Sequence, residues 1–274
     1  MATPRHTPEG RGYETAYGFY QHANKYWTKG MELNSSGAAL AATGEIDEAF
    51  NEYIDFFESN STYHGGVLDQ EALTWLCEGM CSTAGVPGYE DFEKPCAVKA
   101  ACYKEELFLA RSLKILDEHD PSEPILLFHS FGTIHTPLEV PGYYVDMIYA
   151  KAFAAGEPFE SANQLKYAAM VAITDRIVGD LTDAFKNKGI YDNTVIMLTS
   201  DNGGPVYVPG SANNYPLKGG KYSDWEGGLR VMAFLSGGYI PQANRGTTFS
   251  GVISVADPTG MPPFASSPEF PRRR

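Results

Sequence analysis

The sequence predicts an α/β fold in which helices pack on both faces of a mostly parallel sheet. Two continuous apolar runs, Pro124–Ser130 and Thr194–Ser200, are typical of strands that are buried on both faces. Between them, Ser161–Gly189 carries apolar residues at helical spacing, and Gly189 is suited to end that helix. A strand, a helix and a second strand in this order indicate a βαβ unit, from which such sheets are built.

The remaining segments complete the outline on either side of this unit. Tyr103–Asp120 has a broad apolar face at helical spacing and predicts a helix, which Pro121 ends. Leu229–Gly237 predicts a third, weaker strand. The acidic and aromatic segment Glu45–Asn60 is expected to be partly helical, whereas residues 1–33 indicate a loop with short elements.

The composition describes a globular, acidic chain. Its 274 residues suit one large domain or two small ones, and 43% hydrophobic with 20% charged residues indicate a folded core. A net charge of -13 argues against nucleic acid and anionic membrane surfaces as partners. An anionic substrate remains compatible, because a metal ion or a few lysines reverse the field locally. No apolar run reaches the roughly 18 residues of a transmembrane helix.

All four cysteines fall in the segment 61–102, which reads as a loop-rich insertion. They are Cys77, Cys81, Cys96 and Cys102. Two local disulfides that pin the insertion are the preferred interpretation. A zinc site and four free thiols stay open, although the spacing lacks the close C-x-x-C pair of a typical zinc site.

Polar residues follow two of the predicted strands, where ligands bind in α/β sheets. Asp201 and Asn202 come directly after one strand, and their carboxylate and amide oxygens suit Ca²⁺ or Mg²⁺. The same D-N-G-G run is also ideal for a turn. His135, in the loop after the other strand, has the chemistry of a general acid, a base or a ligand, or that of a loop histidine bonded to backbone.

A glycine-rich segment with two lysines follows. Lys218 and Lys221 can each reach an anionic group from such a loop, or stay solvated as most lysines do. The neighbouring Trp225, Glu226 and Arg230 are expected to pack and pair so that they hold this loop in place.

Four motifs in this order resemble the sulfatase family, closest to its arylsulfatase B-like branch. They are HTPEGRGYETAYGFY, IHTPLEVP, TSDNGG and NNYPLKGGKYSDWEGGLR, and the match runs from about residue 3 to 257. The resemblance implies an incomplete alkaline-phosphatase/sulfatase-like catalytic domain over residues 1–257. It also implies that the cysteine-bearing insertion at about 61–102 diverges, and that residues 258–274 form a divergent, disordered tail.

The resemblance also implies roles for the candidate residues. Asp201 and Asn202 would be two ligands of an active-site Ca²⁺, and Lys221 would contact the substrate sulfate. His135 would lie at the bridging ester oxygen as the acid that protonates the leaving alcohol. Lys218 stands where several relatives have arginine, so it receives no catalytic role. The substrate would be a sulfated small molecule or polysaccharide.

Other family motifs are absent from the 274 residues. The C-x-P-S-R motif that supplies the formylglycine nucleophile, the N-terminal pair of metal-binding aspartates and the G-K-W-H motif are not found. We therefore expect the middle of a sulfatase, cut at both ends and inactive as it stands. A non-catalytic remnant that binds sulfated glycans is the alternative. A phosphodiesterase or phosphotransferase of the wider superfamily fits the LKGGKYSDWEGG block less well.

Two glycosylation sequons, at Asn34 and Asn60, weakly favour a secreted protein. No signal peptide is visible at the N-terminus. For the full-length protein, the expected location is secreted or endomembrane, of the lysosomal kind.

Overall fold

The computed structural model describes residue 8 and residues 11–19, 56–60, 103–207, 212–251 and 253. In chain order its elements are β1 (Thr15–Phe19), β2 (Phe56–Asn60), α1 (Lys104–Glu118), α2 (Gly142–Ala155), α3 (Ala162–Asn187), β3 (Ile196–Thr199), α4 (Glu226–Leu229) and β4 (Ala233–Ser236), with 3₁₀ turns at Tyr191–Asn193 and Gln242–Asn244. Strand β1 pairs with β2 and β3 pairs with β4, both antiparallel.

Helix α3 is the centre of the described core, and it confirms the longest predicted helix. Met170, Ile173 and Ile177 recur every three or four residues and are fully buried. Ser161 caps the helix start, where its side chain accepts a hydrogen bond from the Gln164 amide. Gly189 follows the helix end with a φ of +77°, the left-handed conformation that glycine adopts at low cost.

Helix α1 confirms the helix predicted at Tyr103–Asp120 and packs against α3. Leu109 and Leu116 lie on its buried face. At the edge of this contact, Arg176 of α3 forms an ion pair with Glu106 of α1 at 2.6 Å, and a second one with Asp180 on its own helix. The apolar stripe and the ion pairs together fix how α1 lies on α3.

Helix α2 is absent from the sequence-based outline. Its apolar residues are spread around the helix rather than gathered in one stripe, so no periodicity marks it. Tyr144 is its one buried residue, and the helix packs against α3. Gly156, with a φ of +73°, ends it.

Strands β3 and β4 lie inside the predicted strands Thr194–Ser200 and Leu229–Gly237 and confirm both. Their register runs from Ile196 opposite Ser236 to Thr199 opposite Ala233. The pairing is antiparallel because the chain reverses direction through the loops between the two strands. The parallel pairs that the sequence predicts are not seen among the described strands.

The prediction of a buried strand at Pro124–Ser130 is wrong for the described structure. No strand is assigned there, and the side chains alternate between half-buried and exposed. Leu126 and Phe128 on the open face are 79% and 72% exposed. On the other face, His129 reaches α1, where its Nδ1 lies 2.9 Å from the Ser112 hydroxyl. An apolar run predicts a strand buried on both faces only if a neighbouring segment covers the second face.

The N-terminal strands revise one prediction and leave others outside the described residues. Strand β1 is one of the short elements expected in residues 1–33. Strand β2 shows that the helical expectation is wrong for Phe56–Asn60, because this segment pairs with β1. Residues 45–55, the insertion at 61–102 with all four cysteines and the tail at 258–274 lie outside the described residues. Among the helices that are described, none is long and apolar enough to cross a membrane.

Candidate active site

The structure brings His135 and Lys221 into direct contact, although 86 positions separate them in the sequence. The Lys221 Nζ lies 2.9 Å from the His135 Nε2. On the other side of the ring, the His135 Nδ1 lies 2.7 Å from the Thr136 carbonyl oxygen. A carbonyl only accepts, so Nδ1 carries the hydrogen, and Nε2 is left to accept from the lysine ammonium. His135 is therefore the neutral Nδ1–H tautomer in this arrangement.

The loop that carries His135 is anchored on the N-terminal end of helix α1. Glu105 is fully buried, and its Oε1 accepts a hydrogen bond from the Gly132 amide at 3.0 Å. The Gly132 carbonyl in turn accepts from the His135 amide at 3.1 Å. A β-carbon at Gly132 would overlap the side chains of Lys104 and Glu105. A larger residue at this position would therefore require the ends of these two buried side chains to shift.

The pair Lys104–Glu105 is buried under this loop. Burial raises the pKa of Glu105 to about 7, against the opposing effects of the Lys104 charge and the amides of Gly132 and Thr133. Burial likewise lowers the pKa of Lys104, while the Glu105 charge acts in the opposite direction. The sequence analysis missed this pair. The available signal was that Glu105 precedes Leu109 by one helical turn and therefore shares its buried face.

The loop that carries Lys221 interlocks with the loop that follows β3. The Gly203 amide donates to the Gly228 carbonyl at 2.9 Å, and the Lys221 amide donates to the Gly204 carbonyl at 3.1 Å. A β-carbon at Gly203 would overlap the carbonyl oxygen of Gly227. The glycines of both motifs thus serve close backbone approach, which places Lys221 beside the end of β3.

Asn214 binds these loops together, and the sequence analysis missed it as well. Its Nδ2 donates to the carbonyls of Gly204 at 2.9 Å and Gly219 at 3.1 Å, and its Oδ1 accepts from the Gly204 amide at 3.0 Å. One side chain therefore satisfies three backbone groups of two different loops. The available signal was an asparagine inside the turn-forming run N-N-Y-P.

Asp201 and Asn202 lie immediately beyond β3, as the sequence predicts, and they form a turn. The Asp201 Oδ1 accepts from the Asn202 amide at 2.8 Å, and the Asn202 Nδ2 donates to the Gly203 carbonyl at 2.9 Å. Asp201 is exposed. The Asn202 side chain takes part in this turn through its Nδ2, so the turn does not use its Oδ1. The turn and the ligand interpretation are therefore compatible.

The donor set of Asp201 and Asn202 fits a hard divalent cation but does not complete a site. The two side chains offer carboxylate and amide oxygens, whereas Ca²⁺ takes six to eight oxygen ligands. Within the part of the chain that the structure describes, no group of three or more His, Cys, Asp or Glu side chains could hold a metal ion. Further ligands would have to come from other residues or from water.

Of the residues expected to hold the Lys221 loop, Trp225 makes a side-chain contact with that loop, whereas Glu226 and Arg230 do not. The Lys218 Nζ lies 4.2 Å from the centre of the Trp225 ring, a cation–π contact. The expectation that Glu226 and Arg230 also pack and pair to hold this loop is not met, because both side chains are exposed and the two residues are joined by a backbone hydrogen bond at 2.8 Å. The backbone of Gly227, which donates to the Lys218 carbonyl at 2.8 Å, holds the loop instead.

Comparison with known proteins supports the resemblance that the motifs suggest. A family model described as Sulfatase matches residues 9–257. Arylsulfatase J of Mus musculus is 32% identical over 180 residues, which cover 65% of this chain and 28% of that relative. An arylsulfatase of Clostridium perfringens (strain 13 / Type A) is 22% identical over 254 residues, or 82% of this chain and 47% of that relative. The chain thus spans less than half of each relative.

Solved structures show the same fold. Ps i-CgsB in complex with k-i-k-neocarrahexaose superposes with a TM-score of 0.55 at 24% identity, over 85% of this chain and 41% of that one. The PsFucS1 sulfatase from Pseudoalteromonas sp. superposes with a TM-score of 0.51 at 22% identity, over 84% and 38%. These likenesses confirm the predicted α/β fold class, of the alkaline-phosphatase-like kind and incomplete. Together, the motifs and the match over residues 9–257 show that this chain belongs to the sulfatase family.

Proposed function

We propose that this chain supplies the sulfate-binding and acid part of an active site that hydrolyses sulfate esters in the full-length protein. The observation that carries the proposal is the 2.9 Å contact between Lys221 and His135. It joins a cation and a proton carrier at one place, and the backbone of Lys221 is hydrogen-bonded to Gly204 in the loop that follows Asp201 and Asn202. A sulfate ester needs both: positive charge for its non-bridging oxygens, and a proton for the departing alcohol.

Lys221 acts on the sulfate group. Its ammonium is a mobile point charge at the end of a flexible stem, while its backbone is fixed by the hydrogen bond to Gly204. A fixed backbone with a mobile head lets the charge leave His135 and meet a sulfate oxygen. In a partly desolvated site, such a contact stabilises the charge that develops in the transition state.

His135 acts on the bridging oxygen. In the present arrangement its Nε2 accepts from Lys221, so this nitrogen carries no proton to give. We propose that the sulfate group enters between the two side chains and draws Lys221 away. Nε2 then becomes free to take up a proton from solvent and to deliver it to the oxygen of the leaving alcohol as the sulfur–oxygen ester bond breaks. The Thr136 carbonyl keeps the ring oriented throughout, because it accepts from Nδ1.

Asp201 and Asn202 would hold a Ca²⁺ ion, in keeping with a family that is generally metal-dependent. When bound, the ion would supply positive charge to the sulfate oxygens. The two residues would contribute an anionic and a neutral oxygen from the end of β3. Backbone hydrogen bonds of Gly203 and Gly204 join their turn to the loop that carries Lys221. These bonds would hold the two metal-binding residues and Lys221 at a fixed spacing.

The extent and setting of this site are part of the proposal. Residues 1–257 form the partial catalytic domain, with the insertion at about 61–102 and a separate tail at 258–274. The substrate is a sulfated polysaccharide or small molecule, and the neighbour Ps i-CgsB, solved with k-i-k-neocarrahexaose, favours the former. The full-length protein would be secreted or endomembrane.

The 274 residues contain no C-x-P-S-R motif, so we expect them to bind sulfate esters without turning them over. A second candidate function is that of a non-catalytic chain that binds sulfated glycans. The two candidates differ in one result. A longer form of the protein that carries the missing motif hydrolyses 4-nitrophenyl sulfate if the first is correct, and does not if the second is.

Substitutions in that longer form test the assigned roles. Lys221→Ala should lower the rate by a factor on the order of 10²–10³, as expected for the loss of one preorganised charge contact. His135→Ala should slow alkyl sulfates more than 4-nitrophenyl sulfate, because poor leaving groups depend on acid assistance. Lys218→Ala, the matched control, should keep nearly full activity. Equal losses for both kinds of substrate in His135→Ala would contradict the acid role.

A further inference from the structure

Tyr222 adopts a backbone conformation that is unfavourable for its residue type. Its φ is +70°, and among the described residues other than glycine it alone has a positive φ. A bulky side chain in the left-handed region is a strained outlier, whereas glycine adopts this conformation freely. Burial does not offset this strain, since Tyr222 is 85% exposed. Stability therefore does not explain a tyrosine here, and strain of this kind concentrates at functional sites.

The unusual backbone places the Tyr222 ring next to the candidate sulfate site. The Lys221 Nζ lies 5.3 Å from the centre of this ring. A second exposed tyrosine, Tyr207 in the loop after β3, stacks on it with ring centres 5.8 Å apart and an interplanar angle of 18°. Tyr207 is itself 56% exposed. We call these two stacked and exposed rings, one of which lies beside Lys221, the tyrosine pair.

We propose that the tyrosine pair is a sugar-binding subsite that holds the glycan part of a sulfated polysaccharide while Lys221 holds its sulfate. This inference rests on the proposed function and specifies its substrate class. The apolar C–H face of a pyranose ring packs on an aromatic face, and the two phenolic hydroxyls hydrogen-bond to sugar hydroxyls. The chemistry thus calls for a partner with an apolar face and a polar edge.

The openness of the tyrosine pair favours a sugar chain over an aryl sulfate. Small aromatic ligands bind in concave apolar sites that cover most of their surface. Both tyrosines are instead more than half exposed. A polysaccharide extends past the reacting sulfate and can lie along such a surface.

The test measures binding of the full 274-residue chain to three probes by isothermal titration calorimetry. The probes are a sulfated galactan hexasaccharide, 4-nitrophenyl sulfate and methyl sulfate. The key variant is Tyr222→Gly, which removes the ring and places a compatible residue at the positive φ, so its thermal midpoint should not fall. The matched control is Tyr149→Ala, which opens another exposed stacked pair, Tyr149 and Phe153, whose ring centres are 6.3 Å apart on helix α2.

We expect Tyr222→Gly to weaken hexasaccharide binding by about tenfold, the value for one ring face of apolar area withdrawn from contact. Methyl sulfate binding should fall by much less than hexasaccharide binding in this variant, because the Tyr222 ring acts on the sulfate through the Lys221 ammonium, which lies 5.3 Å from the ring centre. Tyr149→Ala should bind all probes like the parent chain. An unchanged hexasaccharide affinity overturns the subsite. An equal loss for 4-nitrophenyl sulfate or for methyl sulfate also overturns it, since the pair would then serve aryl rings or the sulfate itself.

A separate variant, Lys221→Ala, distinguishes failure of the proposed sulfate site from failure of the sugar subsite. Lys221→Ala should weaken methyl sulfate, a probe that the tyrosine pair does not touch. If this variant binds methyl sulfate like the parent chain, the proposed sulfate site fails, whatever Tyr222→Gly does to the hexasaccharide. If Lys221→Ala loses methyl sulfate while Tyr222→Gly keeps the hexasaccharide, only the sugar subsite fails.

Discussion

Replacing Glu105 by glutamine should remove a pH dependence of stability that the buried carboxyl creates. Burial raises the pKa of Glu105 to about 7, from 4.5 for an exposed glutamate. Between these two values the folded chain holds a proton that the unfolded chain has released. Stability must therefore fall as pH rises through this window. At about 1.4 kcal/mol for each unit of pKa difference, the total loss is on the order of 3 kcal/mol.

Glutamine keeps the acceptor for the Gly132 amide and carries no charge, so the loop before His135 stays anchored. In Glu105→Gln the free energy of unfolding should no longer fall as pH rises from 4.5 to about 7. Lys104 loses the neighbouring charge that favours its protonated form, and its buried amine then has a further lowered pKa. A lysine of this kind adds stability as pH rises, so any remaining slope that it causes should be positive.

Urea unfolding at several pH values between 4.5 and 8 measures this difference. Glu118→Gln, at the exposed end of the same helix, is the matched control and should follow the parent chain. A negative slope of equal size in Glu105→Gln and the parent chain would refute the reasoning. It would mean that Glu105 is ionised in the folded protein at the same pH as in the unfolded chain.

Three further substitutions test the loops and the open face. Gly203→Ala should cost about 1–3 kcal/mol in urea unfolding, because its β-carbon overlaps the Gly227 carbonyl, whereas Gly142→Ala meets open space and should change little. Asn214→Ala removes three hydrogen bonds to two loops, so the free energy of unfolding should fall by about 1–3 kcal/mol. Limited proteolysis should then cleave these loops faster than in the parent chain. Leu126→Lys, on the exposed face, should leave stability within about 0.5 kcal/mol and reduce self-association in light scattering.

The parts of the fold that periodicity or an apolar run defines could be predicted from the sequence. The stripe of Met170, Ile173 and Ile177 marks α3, and the runs that contain β3 and β4 mark both strands. The strand predicted at Pro124–Ser130 is not formed, although this segment is also an apolar run. Its composition reports that both faces are apolar, and composition alone does not show which described segment would cover the second face.

Helix α2 and strand β2 could not be predicted because their structure depends on partners. The apolar residues of α2 form no stripe, so its contact with α3 decides the conformation. The acidic and aromatic Phe56–Asn60 becomes a strand through its pairing with β1, which lies 37 residues or more away along the chain. Interactions at such distances leave no local pattern.

The candidate site was partly predictable for a similar reason. The rule that residues at strand ends converge in an α/β fold pointed to Asp201, Asn202 and His135, although no strand forms before His135 in the described structure. Lys221 was found through its glycine-rich motif. The residues that position them, Glu105 and Asn214, act through single backbone groups of distant loops. Such contacts follow from the folded geometry. Asn214 lies within one of the four motifs, but the motif alone does not show which backbone groups its side chain binds.

The central claim is that a sulfate group binds between Lys221 and His135. Nitrogen NMR of the imidazole ring, recorded while methyl sulfate is added to the 274-residue chain with Ca²⁺, tests it most directly. Without sulfate, His135 should show the neutral Nδ1–H form, and its Nε2 signal should move saturably as Lys221 turns to the sulfate. The same response is expected in Lys218→Ala and none in Lys221→Ala. A His135 signal that stays fixed while methyl sulfate binds, or that responds equally without Lys221, would contradict the account.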